Sequence, residues 1–116
     1  MAILSTGPID NNPVSGVRST QLVTVRIVNR SSVAAAGVVI EGYYLTTIRN
    51  LYVSEFLSLA PNESLSRDYF ADLDAFEFVF ITNEIVETEV GISVWGKQTG
   101  GQLVDAHRVV TYEKLD

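Results

Sequence analysis

Cysteine is absent, which excludes both a disulfide framework and a thiolate metal site. Histidine occurs once, at His107, so a transition-metal site built on imidazoles lacks ligands. Lysine is nearly absent too: Lys97 and Lys114 stand beside arginines scattered along the chain, and the formal net charge is −6. Such a chain repels phosphate backbones, and no basic cluster offsets that locally. Nucleic acid and anionic membranes are therefore not expected partners. No apolar run approaches the roughly 20 residues of a membrane-spanning helix. Met1–Leu4 carries no basic residue and is too short for a secretory apolar region, so synthesis without an export signal is expected.

What remains is the composition of one globular domain. The chain has 116 residues, 47% of them hydrophobic, enough for one core and too few for two. From Thr20 the apolar pattern has a period of two. In TQLVTVRIVNR, Val23, Val25 and Ile27 fall on one face while Thr24 and Arg26 fall on the other. VVIEGYYLTT, LYVSEFLSLA, LSRDYF, AFEFVFIT, EVGISVWGK and LVDAHRVVTYE continue as further strands. LYVSEFLSLA is ambiguous, because Val53, Phe56, Leu57 and Ala60 also share a helical face. Pro61–Ser64 reads as the turn of a hairpin, Asn83–Thr88 as a loop, and Gln98–Gln102 as a second hairpin turn. About seven short strands at roughly ten-residue intervals predict an antiparallel β-sandwich or jelly roll of seven to eight strands.

The strand Phe76–Ile81 is apolar on both faces except at Glu77, and Val38–Ile40 and Tyr43–Leu45 behave alike. A sandwich strand needs only one apolar face, and no helices are expected to cover the other. The surplus points to a subunit interface.

Residues 1–19 read differently from the domain at 20–116. Gly7-Pro8, Asn12-Pro13 and Ser15-Gly16 forbid a helix and push the backbone towards extended conformations. Ile3 and Leu4 at the tip are too apolar for solvated slack. The expectation is an extended N-terminal arm that leaves its own domain and docks on a neighbouring subunit. Its interface residues would be Met1, Ile3, Leu4, Pro8, Ile9, Pro13 and Val14. An arm and its receiving groove are different surfaces, so the contact propagates head to tail. Deleting residues 1–15 would then leave a folded domain.

Chemistry-bearing constellations are few. His107 shares a strand face with Asp105, and a strand histidine hydrogen-bonded to that carboxylate or another neighbour is the expected role. Asp68, Asp72, Asp74 and Glu77 gather around YFADLDAFE and could offer oxygens to Ca²⁺ or a carboxylate pair to a glycosidase. The glycine and terminal glutamate of an EF-hand loop are missing, and a solvated acidic connection is the simpler reading. Asn29-Arg30-Ser31 and Asn62-Glu63-Ser64 match the N-glycosylation pattern without a secretory context. No phosphate-binding glycine loop and no GxSxG elbow occurs. No enzyme, cofactor or metal site is expected. A second reading is a soluble ligand-binding β-sandwich for carbohydrate or protein, its binding face supplied by Tyr43, Tyr44, Tyr52 and Trp95.

LSTGP at 4–8, RSTQ at 18–21, LYVSEFLSLAPN at 51–62, YFADLDAFEFVF at 69–80 and ISVWGKQTGGQLVDAHRVV at 92–110 resemble small proteins of Bacillus-type spore formers. That group is similar in plan to the subunits of endospore appendage fibres. The resemblance implies a jelly-roll subunit whose N-terminal connector, here Met1 to about Arg18, reaches into the next subunit. It also implies lateral strand pairing, homo-oligomers such as stacked trimers, and a spore-surface anchoring protein as a further partner. The implied location is the spore surface or exosporium, reached by release from the mother cell. Appendage connectors carry cross-linking cysteines; this chain has none, so a fibre of it would be held non-covalently.

Overall fold

The computed structural model describes residues 2–82, 90–107 and 110–111. The described residues are all-β and form two antiparallel sheets. One sheet runs β10 (Val110–Thr111), β1 (Ala2–Ser5), β7 (Ala75–Thr82), β4 (Ala36–Leu45), β5 (Arg49–Leu59), with β2 (Ile9–Asp10) also on β7. The other runs β6 (Ser64–Phe70), β3 (Leu22–Asn29), β8 (Val90–Lys97), β9 (Leu103–His107).

The period-two pattern fixes what meets between the sheets. Phe76, Phe78 and Phe80 of β7 are fully buried, and so are Val23, Val25 and Ile27 of β3. Phe78 sits at the centre, 5.6 Å from the Tyr69 ring, 6.0 Å from Phe76 and 6.2 Å from Tyr52. The ambiguous segment is a strand: Leu57 and Leu59 point inward while Phe56, next to Leu57, points out.

The expected hairpin across Pro61–Ser64 is corrected. β5 pairs with β4 in one sheet and β6 with β3 in the other, so the turn is a corner between sheets. Asn62, at φ 63°, makes the reversal. β5 and β6 are therefore the two sheet edges on one side of the sandwich. Glu55 closes the gap between them, accepting from the Tyr69 hydroxyl at 2.6 Å and from Arg67 Nε at 3.4 Å. An inward-pointing charge of this kind also blunts an edge strand against stray pairing. Gln98–Gln102 is a hairpin turn as expected, closed by Gln98 N–H donating to Gln102 O at 2.9 Å. Residues 83–88, expected as a loop, lie outside the described residues.

The N-terminal segment is not an arm that leaves its domain. Ala2–Ser5 pair with Val79–Thr82 of the same chain, and Ile9–Asp10 pair with Ala75 and Phe76. Ser15 and Gly16 both have positive φ and turn the chain back on itself, with Val14 bridged to Val17. Arg18 then binds Asp74 at 2.7 Å and Asp72 at 3.2 Å. Ile3 and Leu4 are apolar because strand β1 lies in a sheet. The receiving edge is β7, more than 70 residues away, a pairing that no local pattern announces.

Two buried asparagines hold irregular backbone that no strand satisfies. Asn11 Nδ2 donates to Thr20 O (2.7 Å), Leu73 O (3.0 Å) and Ala71 O (3.2 Å). Asn29 Nδ2 donates to Ala34 O (2.8 Å), Ala60 O (3.2 Å) and Leu59 O (3.3 Å). Asn29 is 1% exposed, so its acceptor motif is closed to glycosylation in the folded chain. Asn29→Asp turns a donor amide into a carboxylate facing three carbonyls. A loss of about 3 kcal/mol is expected, read as a lower urea midpoint at unchanged slope.

Candidate functional site

The acidic residues around YFADLDAFE do not converge. Asp72 and Asp74 are paired with Arg18 beside an open depression of about 490 Å³, whose lining also includes Tyr44 and Thr46. The two carboxylates hold the Arg18 guanidinium pKa above its ordinary value, Asp74 contributing most. Asp68 lies on the outer face of the second sheet and accepts from Thr24 Oγ1 at 2.6 Å. Glu77 lies on the outer face of the first, accepting from Ser5 Oγ at 2.7 Å and Arg49 Nε at 3.1 Å. Among the described residues no group of three acidic or histidine side chains is placed to hold a metal ion.

His107 also departs from expectation. Its ring stands edge-on to Phe76 at 6.2 Å, and its Nε2 is buried with no hydrogen-bond partner. Burial lowers its pKa below the ordinary 6.5, and the charge of Asp105 opposes that shift in part. Asp10 and Asp105 are the acidic residues among those lining the adjoining depression of about 510 Å³. Because the unfolded chain takes up the proton first, stability is held above pH 6.5 and lost as pH falls through the folded-state value. The melting temperature is expected to fall on acidification from pH 7 to 5, and His107→Gln to flatten that slope.

The aromatic residues of the ligand-binding reading do not share one face. Tyr44 and Tyr52 pack edge to face at 6.1 Å, and Tyr52 in turn stands edge to face with the core ring Phe78. Burial pushes the Tyr52 pKa up to about 12, and its hydroxyl donates to Phe70 O. Tyr43 lies outside, under the Arg49 guanidinium at 3.6 Å. Burial, then the hydrogen bond to Glu41, raises its pKa. Trp95 alone faces outward from the second sheet, its Nε1 donating to Ser93 Oγ at 3.0 Å.

The residues expected at a subunit interface divide. Leu4 and Ile9 pack against the core, whereas Ile3 lies on the outer face opposite Ile81. Pro8 is exposed between β1 and β2, Pro13 and Val14 are exposed along the loop that returns to β3, and Met1 lies outside the described residues.

The outer face of the first sheet carries the surplus apolar surface expected from the alternation of Phe76–Ile81 and Val38–Ile40, and the second sheet adds more. On the first sheet the register sets Ile3 beside Ile81, Ile81 beside Val39, and Val39 beside Phe56, one row across four strands. Phe56 at its end is 66% exposed. On the second sheet the register sets Phe70 beside Leu22, Leu22 beside Lys97, and Lys97 beside Leu103. Phe70 is 58% and Leu103 65% exposed, and Trp95 stands in the adjacent row. An apolar row on one outer surface, and Phe70, Leu22, Leu103 and Trp95 around Lys97 on the other, are more than a lone sandwich requires. The alternation of Phe76–Ile81, apolar on both faces, contained half of this. The second row was missed because Phe70, Leu22 and Leu103 are neighbours only once the register is known.

Comparison with protein-family models, with curated proteins and with solved structures gives no match for this chain.

Proposed function

We propose that this protein is a structural, self-assembling subunit of a spore-surface fibre or layer, without catalytic activity. The observation that carries the reading is the apolar row Ile3–Ile81–Val39–Phe56 on the outer face of the first sheet. Water-exposed apolar side chains in unbroken cross-strand contact favour association, whereas isolated ones do not. Assembly is non-covalent, since there is no cysteine.

The resemblance to endospore appendage subunits supplies the spore-surface location, release from the mother cell and a spore-surface anchoring partner. The jelly-roll assignment belongs to the same reading. Successive strands cross between the sheets at β2–β3, β3–β4, β5–β6, β6–β7, β7–β8 and β9–β10. Filaments or sheets of purified protein in negative-stain electron micrographs are the expected result. Dispersed single domains at high concentration would refute it.

The ligand-binding reading is favoured by one feature, Trp95 oriented by Ser93 over a depression of about 250 Å³ flanked by Arg26 and Lys97. Sugar binding that is abolished by Trp95→Ala in an otherwise monomeric protein would select it.

A further inference from the structure

The two outer faces differ in charge as well as in residues. The first sheet's outer face carries Glu41, Glu77 and Arg49, and Arg49 is paired with Glu77. Glu41 has the Tyr43 hydroxyl beside it at 3.0 Å. The strand rows of the second sheet's outer face carry Arg26, Lys97 and Asp68. Neither Arg26 nor Lys97 has an ion-pair partner among the described residues. Among the described residues one face thus has an excess negative charge and the other an excess positive one. Like faces brought together would oppose like charges; unlike faces would oppose opposite charges.

We infer that the proposed assembly is a face-to-face stack, in which the Phe56 face of one copy seats on the Leu103–Trp95 face of the next. This rests on the self-assembly reading and specifies its contact. Each row, wholly apolar on the first sheet and interrupted by Lys97 on the second, crosses four strands, about 14 Å from first to last at the usual strand spacing, so the two rows match in length. Glu41 lies one row from Val39–Phe56, whereas Lys97 stands within the second sheet's row and Arg26 two rows from it, so charge accompanies the apolar side chains on both faces. The faces are different surfaces, so the contact is heterologous. A second copy leaves a fresh face of each kind, and the stack grows without closing. Its repeat is set by two sheet-to-sheet spacings, about 20 Å in all.

The test uses two variants of the full chain, Phe56→Asp and Leu103→Asp, both at exposed positions. Circular dichroism verifies folding, and Phe56→Ser and Leu103→Ser replace any variant that fails it. Light scattering then gives the mass of each variant alone and of an equimolar mixture. Wild type is expected to polymerise and each variant alone to stay monomeric. The mixture should form a capped pair of twice the monomer mass, because one variant keeps each face. Dimers of either variant alone would show like-face pairing and overturn the stack. So would a mixture that stays monomeric, or variants that polymerise as wild type does. If wild type never associates, it is the self-assembly reading itself that fails, and the stack falls with it.

Discussion

Deleting residues 1–10 is expected to abolish cooperative folding. The deletion removes β1 and β2, strips β7 of its pairing from Ala75 to Thr82 on that side, and uncovers Phe76 and Phe80. Leu4 and Ile9 pack against the core, and Ala2 is 5% exposed. Fully burying an aliphatic side chain contributes about 1.5–3 kcal/mol. Two partly buried ones with their strand hydrogen bonds are together worth on the order of 5 kcal/mol. That is comparable to the whole stability of many domains, about 5–15 kcal/mol. The Ser5–Glu77 hydrogen bond goes as well, leaving a 7%-exposed carboxylate with Arg49 alone. Amide dispersion in a proton–nitrogen spectrum reads the outcome. A truncated chain with native dispersion and an unchanged melting temperature would mean that residues 1–10 are not part of this sheet, and the exported arm would return. Adding a peptide of residues 1–12 in trans should restore the folded spectrum.

Phe78→Ala is expected to cost about 3–5 kcal/mol. The ring is fully buried and meets Tyr52, Tyr69 and Phe76 on different sides, from strands of both sheets. No single neighbour could collapse into the cavity. Gly42 sharpens the point: a Cβ there would stand 2.9 Å from Phe78 Cε1 and 2.9 Å from Val53 Cβ, so the ring has no slack even before a cavity is made. Chemical denaturation is the measurement, with the slope unchanged and the midpoint lowered. A loss below 1 kcal/mol would contradict the central position assigned to this residue.

Much of this fold was legible because strand alternation is a local property. β3, β4, β6, β7 and β8 follow from which residues stand two apart, and the two-faced character of β7 pointed to the apolar row that includes Ile81 and Val39. What could not be read locally was partnership. Pro61-Asn62 signals a reversal, but a reversal within one sheet and a corner between two sheets use the same residues. Ile3 and Leu4 signal burial, but the sequence does not say whose sheet receives them. His107 and Asp105 do share parity on β9, yet the imidazole turns to Phe76 because the core lies on that side. Asp68, Asp72, Asp74 and Glu77 are close in sequence but divide among opposite outer faces and a loop, since alternate residues of a strand point in opposite directions and the chain changes sheet between them. The assembly surface was half visible for the same reason. A row across one strand's neighbours needs register, and register is a tertiary property.

The proposed association runs through the exposed rows of the two outer faces. Light scattering of the wild-type chain and of Phe56→Asp over a concentration series tests it most directly. Wild-type mass should rise steadily with concentration while the variant stays at the monomer mass. A wild-type chain that holds the monomer mass throughout would contradict it.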